Sequence, residues 1–282
     1  MRLALVILLA MVPLGAQGPT GFPPVLRIFR EDVKEGKAAA HEKTEAAFMQ
    51  AAAKAKYPAH ILGMASMTGT SQALFLEGHD NIASIADSQD VMDTAEFGAI
   101  DAADAQVRIN QRSMLAVYRP DLSYRADKIN LPKTRFFSIE TVLVREGSLA
   151  TYAELVKMIL DASVKSADTQ SVATYEVVSG APNSTFLVME PRESLKSLDE
   201  ELQHDPAFFQ AMGAEGLKRY AEELSQAVVS SESILYAVNP QMSYVPREWI
   251  TAYPVFWTPN PVEISKPPVS PSPKAKKKPA AK

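Results

Sequence analysis

The 282-residue sequence predicts an α+β fold built from two tandem βαββαβ units, and three observations carry that expectation. The first is an internal repeat. Ser113 to Tyr124 reads SMLAVYRPDLSY and Ser233 to Tyr244 reads SILYAVNPQMSY, both fitting S-x-L-x4-P-x-[LM]-S-Y at a spacing of 120 residues. The second is a set of echoes nearer the front of each half. Glu35-Gly36 answers Glu146-Gly147, Gly69 answers Gly180 and Phe75 answers Phe186, each 111 residues apart. The third is the order in which apolar periodicity switches between strand and helix spacing, which is the same in both halves. The drift from 111 to 120 places insertions late in the second copy, where DPAFFQAMGAEGLKRYAEEL has no counterpart of equal length.

In the first unit Val25 to Arg30 is a strand. The alanine-rich stretch from about Lys37 to Lys56 is a helix, because alanine favours helix and His41, Thr44, Phe48 and Ala51 fall on one stripe. Strands near Ala59 to Thr68 and Gln72 to Glu77 are hinged at Thr68-Gly69-Thr70, where glycine supplies the positive φ of a hairpin. A broken helical region runs from Asn81 to about Gln111, and a last strand from Ser113 to Tyr118 stops at Pro120, which cannot donate to a ladder. The second unit repeats the order. It has a strand at Phe136 to Val144, a helix at Ser148 to Lys165, strands near Gln170 to Ser179 and Thr185 to Glu190, helical turns from Ser194 to Ser230, and a strand at Ser233 to Val238. This organisation sets the units at 24–130 and 131–246.

Composition narrows the class. With 46% hydrophobic and 22% charged residues the chain should bury a core, and with no cysteine it lacks disulfides, thiolate metal sites and a cysteine nucleophile. At the front, Arg2 precedes an apolar run from Leu3 to Leu14 and then Gly15 and Ala16, the pattern of an export signal over 1–16 that is too short to span a bilayer. At the far end, 266–282 mixes prolines with six lysines and no acid. Taking those lysines and Arg2 from the 29 basic residues leaves 22 against 33 acidic ones, so a basic tail follows an acidic body. Such a tail suits an anionic envelope surface, and an exported, periplasmic or secreted location follows from the signal. Between body and tail, 247–265 begins REWITAYPVFW, with both tryptophans, and is read as an arm covering a barrel end or sheet face. There is no Gly-rich phosphate loop, no G-x-S-x-G and no basic stripe with interleaved aromatics, which disfavours nucleotide-driven work, hydrolase chemistry and specific nucleic-acid binding.

Element order, the Glu-Gly turn before each first helix and the P-x-[LM]-S-Y strand exits together resemble the dimeric α/β-barrel superfamily, in which two ferredoxin-like sheets pack face to face. Here one chain would supply both units as an intrachain barrel. The halves look most like antibiotic-biosynthesis-monooxygenase and NIPSNAP-like domains, and the tandem layout is similar to chlorite dismutases. A single such sheet covers one face with helices and leaves the other needing a partner, which tandem pairing provides.

Candidate site residues follow from the asymmetry between halves. His41 lies on the inward stripe of the first helix where the second has Tyr152, and is the candidate acid/base. His60 begins the second strand and His79 follows the third, so with Glu77 or Asp80 the two histidines are the candidates for a metal. Candidate ligand-binding residues are His60, Tyr57, Phe48, Met64, Tyr152 and Tyr175. The chlorite-dismutase resemblance raises haem, for which the second half offers only His204, read as a loop residue before an Asp205 N-cap. No cofactor is predicted. The leading expectation is binding of a small apolar or aromatic molecule in a barrel cavity. The alternatives are a cofactor-independent monooxygenase or isomerase, and an envelope interaction protein without catalysis.

Overall fold

A computed structural model describes residues 21–258. The expected export signal (1–16), the basic tail (266–282) and the end of the aromatic arm lie outside the described residues. The first half runs β1 (Val25–Val33), α1 (Ala38–Ala55), β2 (His60–Ser66), β3 (Gln72–His79), α2 (Ile85–Met92), α3 (Ala95–Asp104) and β4 (Arg108–Tyr118). The second runs β5 (Phe136–Val144), α4 (Leu149–Lys165), β6 (Ala173–Ser179), β7 (Thr185–Arg192), α5 (Lys196–Ala227) and β8 (Val228–Val238), followed by α6 (Arg247–Ala252) and α7 (Pro254–Trp257).

The eight strands close into one antiparallel barrel in the order β1-β3-β2-β8-β5-β7-β6-β4. Each half contributes a ferredoxin-like sheet, β4-β1-β3-β2 and β8-β5-β7-β6. Two seams join them, Met64 to Ser66 of β2 against β8 and Leu115 to Tyr118 of β4 against β6. Among the described residues no helix is long and apolar enough to cross a membrane.

Strand alternation sorts side chains into two compartments. Leu26, Ile28, Met64, Leu76, Phe137, Tyr175, Met189 and Ile234 point into the lumen and pack as one cluster drawn from both halves. Residues of opposite parity face the helices in two separate layers, around Phe75 and Met49 in the first half and around Phe186 and Tyr152 in the second. One mouth is plugged by Phe22 and by α6 and α7, whose Trp249 and Trp257 join the lumen cluster. Trp257 Nε1 donates to the Pro132 carbonyl at 3.0 Å, and the Arg135 guanidinium lies 3.7 Å from the centre of the Phe256 ring. Among the described residues the lumen side chains pack as a core, and the cavity described below lies outside it, on the helix side of the second sheet.

Three sequence expectations shift. β4 and β8 each begin five residues earlier than expected, at Arg108 and Val228. Their opening stretches, RINQR and VVSSE, are mostly exposed and show no inward–outward alternation, yet their backbones still pair with β1 and β5 (Glu31 with Gln111, Val142 with Ser231). Phe75 and Phe186 are not equivalent. Glu31 faces Ala73 across β1–β3 whereas Val142 faces Phe186 across β5–β7, because the connection from α4 to β6 is longer than that from α1 to β2. Finally, His204 and Asp205 lie inside α5, which tolerates Pro206 and breaks only at Gly213 (φ 71°, ψ 165°), so Asp205 is not a cap.

Close backbone approach makes Gly63 of β2 essential. A Cβ there would sit 2.0 Å from the Met242 carbonyl oxygen, whereas one at Gly98, exposed in α3, meets nothing within 4 Å. Gly63→Ala should lower stability by about 1–3 kcal/mol or more in urea unfolding, while Gly98→Ala should be neutral or stabilising by about 0.5–1 kcal/mol. Equal midpoints for the two variants would contradict this packing.

Candidate functional site

On the helix side of the second sheet lies a cavity of about 280 Å³, bounded by β5, β7, β8, α4 and α5. Its floor is set by parity. Along β7, Leu187 and Met189 enter the lumen, which turns Val188 and Glu190 toward the helices. Along β5 the same rule turns Glu140 and Val142 outward. The roof is the apolar stripe of α4, with Tyr152, Leu155, Val156 and Ile159 recurring at helical spacing, together with His204, Phe208, Tyr220 and Leu224 of α5.

Polar groups converge on this apolar shell. Arg192, only 3% exposed, donates from Nη2 to Glu190 Oε2 and to Glu201 Oε2 and from Nε to Ser138 Oγ. Burial pushes the Glu190 carboxyl up to about 7, and the Glu201 charge adds to the rise against the pull of Arg192. Ser231 Oγ donates to Glu140 Oε1. His204 Nε2 is buried and has no hydrogen-bond partner among the described residues. Burial, then the Glu140 charge, raises the Tyr152 hydroxyl far above its ordinary value and that of Tyr220 in the same sense, so both stay neutral donors. The wall thus carries five acidic residues (Glu140, Asp168, Glu190, Glu201 and Asp205) and no lysine or arginine. It can hold an apolar, neutral or cationic molecule, and the same wall carries a carboxyl that changes charge near neutrality and an unpartnered imidazole nitrogen.

Of the residues singled out in the sequence, Tyr152 and His204, the latter weighed there only for haem, line this cavity. Met64 and Tyr175 are lumen residues, fully buried, and the Tyr175 hydroxyl donates to the Pro23 carbonyl at 2.6 Å. Phe48 packs edge-on to Phe97, and the buried Tyr57 accepts from Arg27 Nη2 at 3.0 Å, both in the first half's helix layer. His60 is exposed at the plugged mouth and stacks on Tyr244. His79 Nε2 lies 2.6 Å from Glu77 Oε1. His60 pairs across the hairpin with Gly78, and Glu77 and His79 flank that glycine, so they project from the opposite face of the sheet. The His60–His79 metal pair is therefore not formed. His41 is buried in a polar cluster, with Nε2 2.7 Å from Glu31 Oε2, and does not line this cavity. In that cluster burial and the Glu31 and Asp104 charges push the Glu45 carboxyl up to about 9. Sequence reasoning misses Glu190 and takes His204 for a loop residue. The only trace of the first is one acid at a helix-facing position of the apolar strand TFLVMEPR, and the second was masked by reading Asp205-Pro206 as a helix start.

No family profile matches the sequence, and no curated protein is significantly similar to it. Solved structures do share the fold. An anthrone oxidase-like protein has a TM-score of 0.54 at 10% identity, over 78% of this chain and 93% of its own. A candidate monooxygenase from Fusobacterium nucleatum subsp. nucleatum gives 0.50 at 13%, over 77% and 93%. A chlorite dismutase candidate gives 0.49 at 12%, over 78% and 97%. The chain has the dimeric α/β-barrel (ferredoxin-like) fold, with both units in one polypeptide. The haem raised by the chlorite-dismutase resemblance is poorly matched by the residues. His204 offers one axial nitrogen, but five acidic residues and no cation would face the two propionates.

Glu190 generates a test. Its folded value near 7 lies above the ordinary 4.5, so the folded chain holds a proton that the unfolded chain releases. Its contribution is complete below about pH 4.5 and is lost as pH rises through 7. Between those limits Glu190→Gln should remove a slope of up to about 1.4 kcal/mol per pH unit from the unfolding free energy. Parallel pH profiles for the two proteins would contradict the shift.

Proposed function

We propose that this protein binds a small, mainly apolar or aromatic molecule, neutral or cationic, in the cavity between the second sheet and α4–α5. The observation that carries this reading is the wall itself, apolar and tyrosine-rich, with five acidic residues and no basic one. An anion would meet five acidic side chains, of which only Glu190 and Glu201 are paired with a cation, Arg192 behind the wall, whereas an amine would find carboxylates and aromatic faces together. The names of the anthrone oxidase-like and monooxygenase-candidate neighbours are in keeping with an organic ligand.

A matched series of indole, tryptamine and indole-3-acetate tests the reading by calorimetry. Tryptamine should bind at least about tenfold more tightly than indole-3-acetate, a difference of about 1.4 kcal/mol. Val156→Trp, which fills the cavity, should abolish binding while leaving the circular dichroism unchanged. Preference for the acetate, or undiminished binding to the filled variant, would overturn the proposal.

A catalytic reading is favoured by Glu190 and His204. A carboxylate with a value near 7 is suited to accept a proton from a carbon acid at neutral pH, and an unpartnered imidazole nitrogen is free to hold the ligand oxygen that gains charge. On this reading the site performs isomerase or cofactor-independent oxygenase chemistry, and Glu190→Gln abolishes turnover while binding persists.

Export belongs to the same proposal and is supported by the composition of 1–16. The chain purified from its own cell should have lost about its first 16 residues, as read by intact mass. A chain still beginning at Met1 would contradict export. Contact of the lysine tail with an anionic envelope surface is the interaction-protein alternative, supported by its charge opposite to the acidic body.

A further inference from the structure

We propose that the first half holds a divalent cation of the Mn²⁺ or Fe²⁺ type between β1, α1 and α3, bound by Glu31, His41, Glu45 and Asp104. All four residues are buried, and one ligand atom from each lies within 4.8 Å of every other. Two ligands on opposite sides of an ion at about 2.2 Å are about 4.4 Å apart, so small side-chain movements would close the shell. His41 Nε2 stands 2.7 Å from Glu31 Oε2 and 3.8 Å from Asp104 Oδ1.

The carboxylates are already oriented. Glu31 Oε1 accepts from Arg108 Nη1 at 3.1 Å and from Gln111 Nε2 at 2.8 Å, and Asp104 Oδ2 accepts from Arg108 Nη1 at 3.1 Å. These bonds occupy the outer oxygens and leave Glu31 Oε2 and Asp104 Oδ1 on the side of His41, with Thr44 Oγ1 2.6 Å from the latter. Outer bonds of this kind fix ligand carboxylates in metal sites.

Glu45 points to a missing ligand. Its side chain is aimed into the cluster, the residue is 8% exposed, and it has no hydrogen-bond or ion-pair partner among the described residues. A carboxyl so largely enclosed, left with only an edge in solvent and no protein partner, is costly and calls for an explanation. Three carboxylates with one imidazole form a mostly hard donor set with one borderline nitrogen, which suits Mn²⁺ or Fe²⁺ better than an all-oxygen ion such as Mg²⁺.

The repeat supplies an independent argument. The ladders place Val142 where Glu31 stands and Val228 where Arg108 stands. The helices, each starting two residues after its Glu-Gly turn, place Tyr152 and Val156 at the positions of His41 and Glu45, and Leu224 precedes Val228 as Asp104 precedes Arg108. Those five second-half residues all line the small-molecule cavity. The fold is thus satisfied by apolar groups at these positions, and the ionisable set in the first half is not needed to hold the layers together.

The full chain, freed of metal by chelation, should take up one Mn²⁺ per molecule, read as loss of the free-ion paramagnetic resonance signal. Glu45→Gln should weaken binding by at least about tenfold, and Glu190→Gln, in the other half, should leave it unchanged. Paramagnetic broadening of amide signals should centre on α1, β1 and the end of α3, a readout that stands even if Glu45→Gln fails to fold. No saturable Mn²⁺ uptake, uptake equal in a folded Glu45→Gln variant, or broadening centred elsewhere would overturn the site.

Discussion

Closure of the two four-stranded sheets into one barrel is the constraint on which everything else depends. Each sheet alone would leave an apolar face in water. Joining them through β2–β8 and β4–β6 hides both faces at once, at about 1.5–3 kcal/mol for each large side chain fully buried. Lumen side chains from both halves pack together as one core, and the open cavity lies in one of the two layers between sheet and helices.

Those layers have diverged in opposite directions from one plan. In the second half, Val142, Tyr152, Val156, Leu224 and Val228 leave space, and an apolar cavity opens with Glu190 and His204 on its wall. In the first half, Glu31, His41, Glu45, Asp104 and Arg108 occupy the same positions and fill the space with charge. The strands of the first half carry a second charged group, Arg27 with Glu77 and His79, in which every carboxylate oxygen is paired. Complete pairing there and an unpartnered Glu45 in the cluster with His41 are different physical situations, and only the latter offers a ligand oxygen without a hydrogen bond.

The fold was legible because its signals are local. The strand exits at Pro120 and Pro240 end ladders for a reason any sequence displays, and the Glu-Gly turns are followed by helices at the same distance in both halves. The candidate site was far less legible. His60 and His79 are neighbours along a hairpin but face opposite ways, which depends on register and not on spacing. Matching Phe75 to Phe186 by equal spacing failed because one connection had lengthened. His204 stands before a proline that a helix can absorb when surrounding packing holds it, and Tyr175 and Met64 belong to a compartment that exists only after closure.

The lumen is packed while the helix-side layer of the second half is open, and xenon bound in a pressurised crystal reports directly on apolar voids. Xenon should occupy the space under Tyr152, Val156 and Leu224 and leave the barrel interior empty. Xenon among Met64, Tyr175 and Met189, or none beneath α4, would contradict that arrangement.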